Sequence, residues 1–170
     1  DLNGRISVLT NLITETNIPT QGANTQSRGS LTVNYHSSPN SRLGEYINTI
    51  TDNNYKPYNL LLGELRNGEY IMSYSKYKGE KNTILDSSKA YVLENKGLDD
   101  HVDRNLIMKS LFTNIIECPL AKSDENKDDL IEYLFQVLNN ENIYRYDADN
   151  NYGTRTQTVI LIDKDDKITL

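Results

Sequence analysis

Apolar and polar residues alternate along the chain in a way that predicts several β-strands. Within residues 5–11, a period of two places Ile6, Val8 and Thr10 on one face and Ser7, Leu9 and Asn11 on the other, as in a strand. Residues 58–65 are apolar on both faces, and residues 69–74 form a similar run after the turn at Asn67-Gly68. Two such runs joined by an Asn-Gly turn predict a β-hairpin in a covered sheet. Residues 90–95 predict a further strand.

Three other segments carry apolar residues at helical spacing. They predict a short amphipathic helix within residues 41–51, a longer one from Asp103 to just before Pro119, and a third over residues 127–138. The chain closes with a second hairpin pattern, in which residues 158–163 and 167–170 flank a polar turn.

These elements predict an α+β fold without βαβ alternation. We expect one domain over residues 1–170 with antiparallel sheet covered by helices, since 170 residues are enough for a single core. The expected strands are centred on Ile6, Leu60, Ile71, Val92 and Ile160, and the expected covering helices on Leu111 and Leu134.

Composition then excludes several classes of function. The formal charge of -6 gives no electrostatic footprint for nucleic acid. Cys118 is the only cysteine, so no internal disulfide is available, and a reducing compartment is expected. No apolar run reaches the roughly 18 to 20 residues of a membrane-spanning helix. The chain opens without methionine and enters a strand pattern at once, so we expect an upstream segment.

Local motifs for catalysis are weak. The sequence has no phosphate-binding glycine loop, no zinc-ligand spacing and no nucleophile elbow, so no metal is expected. His36 and His101 stand in polar surroundings and are interpreted as surface residues. The acidic segment 163–167 lacks the glycine and distal glutamate of a calcium loop and is interpreted as a hairpin turn. Cys118-Pro119 fits either a helix end, which we prefer, or a thiolate ligand of haem iron.

A polar segment at the entrance to a buried strand is more unusual. Residues 152–158 contain a glycine, Arg155 and three threonines, directly before the apolar run 159–162. A guanidinium and hydroxyl groups at a strand entrance favour binding of an anion or oxyanion. An Arg155 that pairs with a neighbouring carboxylate would fit the pattern equally well.

Four motifs in order resemble the Transport and Golgi organisation protein 2 family, also called the NRDE family. They span nearly the whole chain: residues 4–11 (GRISVLTN), 27–31 (SRGSL), 58–63 (YNLLLG) and 152–163 (YGTRTQTVILID). The family's "Y-G-L-S-N" strand is matched only at Tyr91, Leu93 and Asn95, and the Pro-Trp that usually follows is absent. The family's opening cysteine and Asn-Arg-Asp-Glu motif would lie upstream of Asp1.

The resemblance implies a fold and a site. Family members are similar to N-terminal-nucleophile hydrolases, an αββα sandwich in which an N-terminal residue is the nucleophile and its own amine the base. The expected fold is therefore such a sandwich, incomplete at the N-terminus. Comparable positions place Asn11 and Asn95 as oxyanion donors and Arg155 as an anion-binding or orienting group. Arg28 and Thr156 are further candidate ligand-binding residues. Alternatively, the asparagines end strands and Arg155 braces the sheet.

What the resemblance implies for function is broader. The family is associated with organisation of the secretory pathway and with handling of haem or acyl lipids, so we expect a cytoplasmic protein that binds such a ligand. Haem would then be cargo, and contact with Golgi or mitochondrial membranes would be peripheral. The alternative is an amidohydrolase or thioesterase whose cysteine lies upstream. Fold alone does not decide between them.

Overall fold

Two compact units make up the computed structural model of the protein, residues 1–100 and residues 101–170. The structure describes residues 4–13, 25–38, 40–100, 103–119, 126–141, 143, 146–147, 149, 152–153, 156–162 and 168–169. Its class is α+β with antiparallel sheets, as the sequence predicts. Of the helices in this described part, none has the length and apolar character to cross a bilayer.

The first unit contains a four-stranded sheet, two helices, a short 3-10 helix and a small hairpin. In chain order its elements are β1 (Arg5–Asn11), α1 (Gly29–His36), α2 (Leu43–Thr49), the 3-10 helix Asp52–Asn54, β2 (Tyr58–Arg66), β3 (Glu69–Lys76), β4 (Thr83–Ile84), β5 (Leu93–Glu94) and β6 (Gly97–Leu98). The sheet runs in the order β1-β2-β3-β4, and each neighbouring pair is antiparallel.

The predicted hairpin between β2 and β3 is confirmed. Its turn residues Asn67 and Gly68 both have positive φ, 55° and 80°, as the tight turn of a twisted hairpin requires. β2 is buried along most of its length, because its side chains meet covering elements on one face and a polar network on the other.

Helices α1 and α2 cover one face of this sheet. Their buried side chains join those of β2 in one core, formed by Leu31, Tyr35, Leu43, Tyr46, Ile47, Tyr58, Leu60 and Leu62. The tyrosines of the helices also satisfy backbone groups: the Tyr35 hydroxyl donates to the carbonyl of Gly63 at 3.0 Å. Hydrophobic burial and hydrogen bonding therefore fix α1 against the sheet together.

In its described residues, the second unit has two long helices and short strand pairs. Its elements are α3 (Asp103–Glu117), α4 (Lys127–Leu138), β7 (Tyr146–Asp147), β8 (Tyr152–Gly153), β9 (Leu161–Ile162) and β10 (Ile168–Thr169). Ile115, Leu134 and Val137 form its core. The predicted closing hairpin is confirmed by the antiparallel pairing of β9 with β10. The predicted bounds of α4 are also confirmed.

Two parts of the predicted sheet are wrong. Val92 lies outside any strand, and only Leu93–Glu94 pairs, with Gly97–Leu98, in a separate two-stranded sheet. The cause is local turn chemistry, because the Asp99 carboxylate accepts the N–H of Val92 and the Asp99 N–H bonds to the Val92 carbonyl. Ile160 likewise precedes β9 and does not belong to the four-stranded sheet.

The sequence did not predict α1, and it is α1 and α2 that cover the sheet within the first unit. α3 and α4 pack against each other in the second unit, and their predicted packing on the sheet stays a prediction.

Candidate functional site

The end of β1 brings two of the predicted site residues into one neighbourhood. Asn11 is the last residue of β1, and the chain continues through Leu12 to Ile13. The Ile13 N–H donates to the Asn95 carbonyl at 2.7 Å. Asn95 sits at the tip of the β5–β6 hairpin, and both asparagine side chains are exposed. Thr10 contacts the hairpin at the Glu94 carbonyl, and the next side chain, that of Asn11, lies on the opposite face of β1. Convergence of the two asparagine side chains therefore stays a prediction.

Arg28 reaches the same end of the sheet from α1. Its Nη1 donates to the Pro57 carbonyl at 2.6 Å, and the N–H of Leu12 donates to that carbonyl at 3.2 Å. The guanidinium thus lies beside the residue that follows Asn11. Within the described part of the chain, no ion pair joins Arg28 to a carboxylate.

Local sequence explains why Arg28 is placed there. Ser27 precedes Arg28, the N-cap of α1, and its Oγ accepts the N–H of Gly29 while its carbonyl accepts the N–H of Ser30. Leu31, one turn into the helix, is fully buried in the core. The hydrogen bonds of Ser27 and the burial of Leu31 orient the first turn of α1. Arg28, which lies between them in sequence, is thereby directed toward Pro57.

These three residues form what we call the strand-end site: Asn11, Arg28 and Asn95. Exposed amides can donate hydrogen bonds, and a half-buried guanidinium can bind a carboxylate or phosphate. Such an arrangement suits a small acidic ligand or a developing oxyanion. Arg155 falls outside the described residues, and Thr156 is an exposed residue of the second unit, so the structure does not test their predicted convergence with this site.

A buried polar network beneath the strand-end site was not predicted. Its centre is Asn59 in β2, whose side chain is fully buried. The Asn59 Nδ2 donates to Thr10 Oγ1 at 3.1 Å and to the Glu94 carbonyl at 3.0 Å. The Tyr74 hydroxyl donates to Asn59 Oδ1 at 2.8 Å. A sequence signal existed, because Asn59 is a polar residue within an otherwise apolar strand.

Tyr74 is held in its neutral form by this environment. Burial raises the pKa of its hydroxyl, although a hydrogen bond with the backbone of Leu98 lowers it in part. A protonated hydroxyl donates to Asn59 across the range of physiological pH. The network is thus formed without a charged group at its centre.

The remaining candidates lie apart from the strand-end site. His36 is half-buried, and its Nε2 lies 2.9 Å from Ser7 Oγ. Burial lowers its pKa most, and the positive charge of Arg5 contributes in the same direction. His101 and residues 163–167 fall outside the described part. Cys118 directly follows α3 and is half-buried, in agreement with the predicted helix end.

The model of the family Transport and Golgi organisation 2 matches residues 1–170, the whole chain. No curated protein matches the chain in sequence. The motifs that carry the resemblance include Asn11, Arg28 and Asn59.

Proposed function

The chain belongs to the Transport and Golgi organisation 2 family, and from that membership we propose that it binds a small acidic ligand, haem or an acyl compound, at the strand-end site. Its contribution to the organisation of the secretory pathway would follow from holding and delivering that ligand.

One observation carries this proposal. Arg28 and the Leu12 N–H both donate to the carbonyl of Pro57, and the Ile13 N–H donates to the carbonyl of Asn95. We infer from these contacts that Asn11, Arg28 and Asn95, which come from segments distant in sequence, act on one ligand at this strand end. Haem carries propionates, and fatty acids and acyl thioesters carry a carboxylate or phosphates. A guanidinium with neighbouring amides is suited to bind these groups.

The test is a titration of the purified protein with haem and, separately, with a long-chain acyl-CoA. Replacing Arg28 by Gln should weaken binding of the preferred ligand about ten- to hundredfold, because a charge-assisted hydrogen bond is worth about 1.5 to 3 kcal/mol. Arg66→Gln is the matched control, because Arg66 is an exposed arginine of the β2–β3 hairpin that pairs with Glu64. Equal affinity of the two variants, or no binding by the wild type, would overturn the proposal.

The cellular setting is a cytoplasmic protein that visits Golgi and mitochondrial membranes peripherally. The absence of a disulfide framework from the sequence supports a reducing compartment. Fractionation of cells that express the tagged protein tests this, since a peripheral protein is released from membranes by salt or alkali. Protection from protease inside sealed vesicles would contradict it.

A second candidate function, an amidohydrolase or thioesterase, is supported by the backbone bond that brings Asn95 to the segment following Asn11. Two amides near one strand end could donate to an oxyanion, and an upstream cysteine would supply the nucleophile. The finer fold would be an αββα sandwich. This is supported by the first sheet, which is covered by helices on one face and carries Val8, 43% exposed, on the other.

The enzyme is distinguished from the carrier by the full-length N-terminus. A free-amine cysteine and turnover of acyl substrates would favour the enzyme, and Asn95→Ala should then lower kcat more than it raises KM. Arg155→Ala should reduce binding or turnover by more than it lowers stability. If Arg155→Ala impairs folding and function equally, Arg155 braces the sheet.

A further inference from the structure

The β5–β6 hairpin is attached to the sheet mainly by side chains and by few backbone pairs. Its only ladder is the pairing of two residues with two, Leu93 with Leu98 and Glu94 with Gly97. A hairpin of that size is not stable by itself. Something other than its own ladder must therefore fix the position of Asn95 at its tip.

We propose that Asn59 is the positioning residue of the strand-end site, because its buried side chain fixes the hairpin that carries Asn95. This inference rests on the proposed function for its consequence in binding. The position of the hairpin itself depends only on the network described below.

Each hydrogen bond of the network has a clear donor and a clear acceptor. Asn59 Nδ2 donates to Thr10 Oγ1 and to the Glu94 carbonyl, and Thr10 Oγ1 donates to the same carbonyl at 3.3 Å. Asn59 Oδ1 accepts from the Tyr74 hydroxyl, which also bonds to the backbone of Leu98. Asn59 therefore connects β1, β3 and both strands of the hairpin.

Two outer contacts extend the attachment to the tip of the hairpin. The Ile13 N–H donates to the Asn95 carbonyl, and Lys76 Nζ donates to the Lys96 carbonyl at 3.2 Å. Both outer contacts hold backbone groups, so the side chain of Asn95 is left exposed. The arrangement is that of a rigid support under a binding residue, which limits the entropy lost on binding.

Burial makes Asn59 the decisive member. Its side chain is 0% exposed, so solvent water cannot replace a hydrogen-bond partner that a substitution removes. Ser73, in β3, is also 0% exposed but faces the opposite side of the sheet from its neighbour Tyr74, where its hydroxyl donates to Asn82. Ser73 therefore provides a control with similar burial and no connection to the hairpin.

The first experiment requires no ligand. In Asn59→Leu, amide hydrogen exchange at Ile13 and Leu98 should accelerate about five- to tenfold more than exchange in the centre of β2. The reason is that the hairpin can then open locally without breaking the buried hydrogen bonds of Asn59. Ser73→Ala should change exchange at these two amides by no more than elsewhere. Because Asn59→Leu could unfold the unit, Tyr74→Phe provides a milder test with the same expected pattern. Uniform acceleration in both Asn59→Leu and Tyr74→Phe would overturn the inference.

The second experiment asks whether Asn59 acts on binding through Asn95. Haem or acyl-CoA affinity is measured for Asn59→Leu, Asn95→Ala and the double variant at a temperature where all three are folded. The Asn59 substitution should weaken binding about tenfold in the wild type and less than about twofold in the Asn95→Ala background. Equal loss in both backgrounds would show a general structural effect and overturn the positioning role.

The two experiments distinguish failure of the proposed function from failure of the positioning role of Asn59. If the wild type binds neither ligand, the proposed function and the role of Asn59 in binding both fail, and the exchange data alone decide whether Asn59 fixes the hairpin. If binding occurs and Arg28→Gln weakens it, but the double variant shows independent effects, only the role of Asn59 fails.

Discussion

Ile13 and Asn95 are joined by a 2.7 Å hydrogen bond between the N–H of the first and the carbonyl of the second. One residue follows β1, and the other lies at the tip of the β5–β6 hairpin. This bond places Asn11 and Asn95 in one neighbourhood, and Arg28 reaches it through Pro57. The same unit contains other interactions that give testable expectations.

Arg5 should contribute far more to stability than an exposed arginine. Its guanidinium donates to the carbonyls of Tyr35, Ser38 and Ser41 at 2.6, 2.8 and 2.6 Å, and the residue is 6% exposed. Arg5→Met should lower the free energy of unfolding by about 3 to 5 kcal/mol, because three carbonyls lose a charged donor. Urea unfolding measures this. Arg66→Met, at an exposed pair, should lower it by less than about 1 kcal/mol, and equal losses would contradict the prediction.

Gly4 and Gly68 both have positive φ but differ in the space around them. A Cβ on Gly4 would lie 2.7 Å from Leu65 Cβ, whereas nothing lies within 4 Å of one on Gly68. Gly68→Ala should therefore lower stability by about 1 kcal/mol through backbone strain, and Gly4→Ala by about 2 to 4 kcal/mol through strain plus a clash. Thermal unfolding of the two variants compares them directly. A smaller loss of stability for Gly4→Ala than for Gly68→Ala would show that β1 and β2 shift at this point to make room for the methyl group.

Asp52 should give the first unit part of its sensitivity to acid. Burial alone would raise the pKa of its carboxyl, but hydrogen bonds from Lys81, Tyr58 and the Lys78 N–H outweigh it, and the pKa is lowered. A lowered folded-state pKa stabilises the fold above the unfolded value of about 3.9, and that stability is lost as pH falls through the folded pKa.

Asp52→Asn should accordingly be less stable than wild type by about 1 to 2 kcal/mol near pH 7, and the difference should shrink below about pH 4. Urea unfolding at a series of pH values measures it. Asp86→Asn is the comparison, because hydrogen bonds from Ser88 and Lys89 also lower the pKa of Asp86, to about 2, but the carboxylate is exposed, so solvent screening should make its loss of stability the smaller one. A difference between wild type and Asp52→Asn that is independent of pH would refute the assignment.

Cys118 should be dispensable for any binding of haem. The residue follows the end of α3, and its N–H donates to the Ile115 carbonyl at 3.0 Å, as expected of a helix end before proline. Cys118→Ala should leave the absorption spectrum of a haem titration unchanged. Loss of a thiolate-type band in the variant would instead identify the cysteine as an iron ligand.

Sequence patterns located the elements whose own residues carry a strong period or turn signal. The hairpin of β2 and β3 followed from apolar runs around Asn67-Gly68, and α4 followed from its apolar stripe. α1 was missed because its eight residues bury only Leu31 and Tyr35 and include β-branched and polar residues. Contacts with the sheet, which no local pattern encodes, stabilise α1.

The sequence by itself determined the α+β class, the family and the identity of Asn11, Arg28 and Asn95 as candidates, because these depend on periodicity and on motifs in order. Only the tertiary structure decided that Arg28 and Leu12 meet at the Pro57 carbonyl, that Ile13 bonds to Asn95, and that Asn59 is buried beside Thr10 and Glu94. Hydrogen bonds between segments far apart in the chain depend on strand register and burial, and those are set by the packing of the whole unit.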